Sequence, residues 1–173
     1  MKHAIPERVL RRVLPGTCFE LSWLSQEDRR GASQLLNPKT ICFRVELVMR
    51  KELVKTGPAP LNLPFSPGIK YGDLIFISGQ GPIDQNGKVV PGDVKTQTKT
   101  TLENFRKVLV AAQSGLENVL QTTVYLSDLN DYSEMNETYS TFFPDPKPAR
   151  ATVRADLLFG MKVEIQGIAY LPR

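Results

Sequence analysis

Residues 49–173 contain no cysteine and no histidine; Cys18, Cys42 and the single histidine, His3, all lie upstream. That absence removes a thiol nucleophile, a Ser-His-Asp triad and a His/Cys zinc site from the larger part of the chain. Chemistry there has to use carboxylates, arginine, lysine, hydroxyls, backbone groups and water. Two cysteines do not make a disulfide framework, so a reducing compartment, the cytoplasm, is expected. Long apolar runs are missing as well, and none approaches the roughly 18 residues of a membrane span. The N-terminus lacks the continuous apolar core of a signal peptide. Arg8, Arg11 and Arg12 hint at a transit peptide, and Glu20, Glu27 and Asp28 argue against one. Concentrated positive charge is also absent from the main part. Residues 1–48 hold eight Lys/Arg against five Asp/Glu, and residues 49–173 hold fourteen against thirteen. The net charge of +4 therefore belongs mostly to the first segment. A nucleic-acid binder would want a concentrated basic face, so nucleic acid is not the expected partner.

What is present divides into an extension, residues 1–48, and one domain, residues 49–173. In the extension, Arg-rich pieces alternate with Pro15-Gly16, Arg29-Arg30-Gly31 and Asn37-Pro38, which are turn or breaker signals. Residues 41–48 could form a short strand, but the segment reads as weakly structured. If Val45-Glu46 is encoded GTG-GAG, a ribosome-binding-like GGAG lies just upstream of the Met49 codon, which would make Met49 the natural start. From Met49 the punctuation is regular. Residues 53–56 read as a strand and 58–64 as a Pro-rich connection. Residues 65–70 lead through the Gly72-Asp73 turn into the apolar run 74–78, and 84–87 is a further turn. Asp93 can N-cap a helix to about Ser114, with Gly115 just beyond its end. Leu102, Phe105, Leu109 and Ala112 share one face of that helix. Residues 119–126 alternate as a strand. Asp131 with Glu134 resembles a capping box for a helix over 132–143, ended by Pro144.

Two more strands follow, 150–156 and 162–169. Ala151, Val153, Ala155, Val163, Ile165 and Ala169 alternate with Arg150, Thr152, Arg154, Asp156, Lys162, Glu164 and Gln166. A hairpin through residues 157–161 in matching register would put Arg150 and Glu164 on one face. A guanidinium fork grips a carboxylate and a Glu handles a proton, so the pair suits a small-acid site. On the pattern alone it is more often a solvated sheet face with an ordinary ion pair.

The order β-β-α-β-α-β-β implies a two-layer α+β domain with both helices on one face of the sheet. Yet residues 74–77 are apolar at both parities, as in a strand buried on both sides. A chain of this length has little else to cover the second face. Another copy is expected there, in a homo-oligomer of closed symmetry, with Arg150 and Glu164 at or near the interface.

From about Glu52 to Pro172 the chain resembles the reactive-intermediate deaminase (Rid/YjgF) family. The resemblance rests on Leu63-Pro64-Phe65-Ser66-Pro67-Gly68, Ser78-Gly79-Gln80, Thr122-Thr123-Val124-Tyr125-Leu126 and Asp128-Leu129-Asn130-Asp131. It continues through Met135-Asn136-Glu137-Thr138-Tyr139, Phe142-Phe143, Pro148-Ala149-Arg150 and Val163-Glu164-Ile165. It implies a chorismate-mutase-like fold, one mixed sheet with two helices on one face, and a homotrimer with ligand clefts between subunits. The implied reaction is hydrolysis of reactive 2-imino acids, in equilibrium with enamines such as 2-aminoacrylate, to 2-oxo acids and ammonia, with no metal or organic cofactor. The resemblance assigns Arg150 to the substrate carboxylate and Glu164 to water and proton transfer, as the catalytic residue. Thr152, Gly79, Phe65 and Asn136 would complete substrate binding. Taken singly, Gly79 is more often a turn glycine, Asn136 a packing amide and Phe65 a core residue.

Three departures from the family pattern stand out. Phe65 replaces the usual first-loop tyrosine, so a phenol hydroxyl is missing. Thr152 stands where some members have cysteine. The Arg150-to-Glu164 interval is one residue shorter, which is harmless in a loop but not in a strand. Two other functions compete with deamination. One is a trimeric small-acid binding or chaperone-like protein without efficient turnover, which Phe65 favours. The other is an RNA-cleaving translation inhibitor, which the near-neutral domain and the missing histidine disfavour.

Overall fold

The computed structural model describes residues 50–57 and 64–172. The expectations for the extension, and most of the Pro-rich connection, lie outside the described residues. Six strands form one mixed sheet, and two longer helices lie on one of its faces. In chain order these are β1 (Glu52–Leu53), β2 (Gly68–Tyr71), β3 (Leu74–Gln80), α1 (Val94–Ala111), β4 (Val119–Leu126), α2 (Tyr132–Ser140), β5 (Ala149–Arg154) and β6 (Val163–Tyr170). Across the sheet the order is β1-β2-β3-β6-β4-β5. Only β4 and β5 run parallel; every other neighbouring pair is antiparallel.

The amphipathic pattern of α1 sets the core. Leu102, Phe105, Leu109 and Ala112 are all fully buried, alongside Ile75 and Ile77 of β3 and Val163, Ile165 and Ala169 of β6. Asp93 caps the helix, its carboxylate accepting from the Thr96 N–H at 2.8 Å. The end differs from expectation. The left-handed residue is Gln113 (φ 67°), not Gly115. The Ser114 N–H donates to Leu109 C=O at 2.9 Å and the Gln113 N–H to Val110 C=O at 3.0 Å. That is a Schellman closure made without glycine. At α2 the expected capping box is absent, because Asp131 makes no side-chain cap bond there. Its carboxylate instead lies 3.8 Å from Lys162 Nζ, and Asp128 caps the preceding turn through Asn130 N–H at 2.9 Å. The helix stops at Ser140, three residues before the expected end, and Tyr139 and Phe143 pack with ring centroids 4.6 Å apart.

The hairpin between β5 and β6 does not form. The units β3-α1-β4 and β4-α2-β5 are both parallel crossovers, and the first leaves a gap between β3 and β4. β6 fills that gap, pairing Ile75 with Ala169 on one side and Val124 with Ile165 on the other. β5 is left at the sheet edge, pairing only with β4. A central strand with a buried apolar face, Val163, Ile165 and Ala169, is the stable use of the β6 pattern. A strand entered through Pro148 and carrying Arg150 and Arg154 suits an edge.

The face without helices is apolar over β1 to β3. Leu74 is 38% exposed and Phe76 41%, and Leu53, Tyr71 and Tyr170 are exposed too. The both-parity run 74–77 splits between the two faces, with Ile75 and Ile77 buried under the helices and Leu74 and Phe76 exposed on the open face. A depression of about 330 Å³ on that face is lined by Phe76, Ser78, Thr123 and Gln166, among others.

Candidate functional site

Arg150 and Glu164 lie on opposite faces of the sheet. Arg150 pairs in register with Thr122, which is fully buried and hydrogen-bonded to Tyr139 of α2, so Arg150 is on the helix side. Glu164 pairs with Tyr125 on the open side, where Tyr125 Oη accepts from Gln166 Nε2 at 2.8 Å. With β4 between them and three residues of offset, their Cα atoms are about 14 Å apart. The expectation of one shared face within a single chain is therefore corrected. Its cause is the insertion of β6, which places the two period-two patterns in opposite phase relative to the helices. The structure places them in two separate groups of side chains, the arginine and glutamate half-sites.

The arginine half-site joins the edge of β5 to α2. The Arg150 guanidinium stacks on the Tyr139 ring, 4.6 Å from its centroid, and lies 5.8 Å from that of Tyr132. Nη2 reaches the Tyr132 hydroxyl at 3.4 Å. Asn136 stands one helical turn from Tyr132, and its Oδ1 is buried without a hydrogen-bond partner among the described residues. Thr152 follows Arg150 on the same face of β5, and its Oγ1 is likewise buried and unpaired. Unpaired buried acceptors and donors next to a cation call for a ligand or water. Burial pushes the Tyr139 phenol pKa up, against the pull of Thr122 and Arg150. Tyr132 moves down, chiefly through Asn136 and then through Arg150. The sequence reading singled out neither tyrosine. The available signal was the 132, 136, 139 spacing, which puts all three on one face of a helix.

The glutamate half-site sits where β3 bulges. Ile77 pairs with Gly167 and Gln80 with Ile165, so three residue steps on β3 face two on β6. Gly79 lies in that bulge, and a Cβ there would collide with the Glu164 carboxylate. Only glycine lets the carboxylate lie across the backbone. Half-burial pushes the Glu164 carboxyl pKa above its ordinary value of 4.5, with desolvation as the cause. The Phe65 loop borders the same place: Ser78 Oγ donates to Ser66 C=O at 2.7 Å, and Ser78 N–H to Pro67 C=O at 3.1 Å. Phe65 is 57% exposed, not core. The six expected site residues thus fall into two groups, Arg150, Thr152 and Asn136 in one and Glu164, Gly79 and Phe65 in the other. The open-face depression is lined by neither Arg150 nor Glu164.

Residues 56–171 match the model of the endoribonuclease L-PSP family. The chain belongs to the Rid/YjgF family. A RutC family protein of Pyrococcus abyssi is 45% identical over 125 residues, covering 70% of this chain and 98% of its own length. The mouse protein named 2-iminobutanoate/2-iminopropanoate deaminase is 39% identical over 122 residues, 69% of this chain and 90% of its own. The Arabidopsis thaliana protein named Reactive Intermediate Deaminase A, chloroplastic, is 41% identical over 126 residues, 71% of this chain and 67% of its own. Among solved structures, E. coli TdcF with bound serine superposes with a TM-score of 0.65 at 31% identity, covering 70% of this chain and 99% of that one. The family resemblance and the α+β fold read from the sequence both hold. No helix among the described residues is long and apolar enough to cross a membrane.

Proposed function

We propose that this protein hydrolyses reactive 2-imino acids and their enamine tautomers to 2-oxo acids and ammonia, in clefts shared between copies of a homotrimer. The observation that carries this reading is the placement of Arg150 and Glu164 on opposite faces of one sheet, too far apart to act on one small substrate within a single chain. A second copy seated on the apolar open face, over Leu74 and Phe76, is the proposed source of the arginine that completes the cleft at Glu164. Relatives named as deaminases, at 39% and 41% identity, support the reaction class.

In such a cleft the Arg150 fork holds the substrate carboxylate, already oriented by the Tyr139 ring beneath it. Thr152 and Asn136 offer further polar contacts. The Glu164 carboxylate takes a proton from water as the water oxygen bonds to C2 of the iminium. That carbon becomes tetrahedral, bearing hydroxyl and amine. Glu164 then gives the proton to nitrogen. The C2–N bond breaks, the hydroxyl proton departs through the same carboxylate, and a 2-oxo acid and ammonium leave. Burial, by raising the affinity of Glu164 for a proton, suits it to both directions of transfer.

The direct assay generates imines in situ with an amino-acid oxidase and follows 2-oxo acid release with and without the protein, alongside light scattering. Accelerated release by a trimer is expected, also with residues 1–48 removed. An active monomer would end the shared-cleft reading. A trimer that binds 2-oxo acids without turnover would favour the binding-protein reading, to which the missing phenol at Phe65 points.

A further inference from the structure

Two tyrosines flank Arg150, and only one has spent its hydroxyl. Tyr139 is buried, and its Oη shares a 2.7 Å hydrogen bond with Thr122. Tyr132 is 44% exposed, and its ring edges the same guanidinium. We propose that Tyr132 contacts the substrate, its phenol O–H donating to the same carboxylate that the Arg150 fork holds. This rests on the reading of Arg150 as the carboxylate clamp.

The proton inventory supports the role. Arg150 Nη2 donates to Tyr132 Oη, and among the described residues no hydrogen bond is found in which that hydroxyl donates. Asn136 Oδ1, one helical turn away, is buried without a partner. At 3.4 Å the Nη2–Oη contact is too long to satisfy either group fully. A carboxylate placed against both would accept from the guanidinium and the phenol together. It would exchange one long, weak contact for short charge-assisted bonds. Tyr132 begins α2 while Arg150 sits on β5, so the two donors approach an anion from different elements.

Tyr132→Phe keeps the ring beside the guanidinium and removes only the hydroxyl at an exposed position. Calorimetric titration with 2-oxobutanoate should give a Kd raised about tenfold, within the range for one hydrogen bond to a charged group. KM for the imine should rise by a similar factor while kcat changes little. Titration with 2-oxobutanamide, which lacks the carboxylate, should show no difference between the variant and the parent. An unchanged Kd for 2-oxobutanoate would overturn the proposal, as would a fall in kcat at constant KM. If Arg150→Lys also bound 2-oxobutanoate like the parent, the clamp reading itself would fail. With Arg150→Lys impaired, the Tyr132→Phe result bears on the phenol alone.

Discussion

The two half-sites are built on opposite principles. Around Arg150 the protein supplies rings and unpaired polar atoms: Tyr139 beneath the guanidinium, Tyr132 beside it, Asn136 and Thr152 with unpaired buried oxygens. Around Glu164 it supplies space and partial burial. A bulge and a glycine let one carboxylate lie across the backbone, and half-burial weakens its hold on negative charge. The first arrangement fixes a permanent cation in one orientation. The second raises the affinity of an acid for its proton. In the proposed reaction, binding and proton transfer belong to opposite faces of the sheet, and a second copy would join them.

The largest expected effect tests the binding half. Arg150→Ala should leave assembly intact and turnover undetectable in the imine assay, since it removes the proposed carboxylate fork. Arg150→Lys should also be poor, because a point charge on a flexible stem cannot match a fork. Near-parental turnover by the lysine variant would show that the two half-sites do not divide the work in this way.

On the other half, Glu164→Gln should keep the trimer and the affinity for 2-oxobutanoate while slowing kcat by about 10²–10⁴-fold. The pH profile sharpens the point. Desolvation raises the Glu164 pKa, and the basic form starts the reaction, so the acid limb of kcat/KM should lie above the ordinary carboxylate value of 4.5. Activity should fall as pH drops through it, and the residual activity of Glu164→Gln should lack that limb. A smaller loss is expected for Gly79→Ala. The new methyl displaces a flexible carboxylate rather than backbone, so the fold should survive and kcat fall by about 10–10²-fold. An equal loss in 2-oxobutanoate affinity would mean that Gly79 belongs to binding. The smallest effect belongs to Phe65→Tyr. The side chain is exposed at the rim of the glutamate half-site, so the added hydroxyl should leave the rate unchanged or raise it.

Much of the fold was legible because it is written in local periods. The buried face of α1 is the one marked by Leu102, Phe105, Leu109 and Ala112, and β4 has the bounds that its alternation suggested. Caps were less legible, because Asp131 is drawn to Lys162, a partner distant in sequence. Strand partners were legible only across a tight turn, as at Gly72-Asp73 between β2 and β3. Alternation says which residues share a face of one strand, not which strand lies alongside, and β6 pairs with β3 and β4 rather than with β5. For the same reason the six site residues could be named but not sorted into two groups. The rings around Arg150 were hidden in a helix whose polar surface reads as ordinary.

Mixing two inactive variants tests the shared cleft most directly. Arg150→Ala retains Glu164, and Glu164→Gln retains Arg150, so a cleft intact in both can arise only between unlike copies. In a three-fold ring with free exchange, an equal mixture should regain about a quarter of the parental activity, one intact cleft in each hybrid trimer. Co-expression or joint refolding, followed by the imine assay, should give that value. Hybrid trimers with no more activity than either variant alone would place both residues in one chain's site and contradict the account.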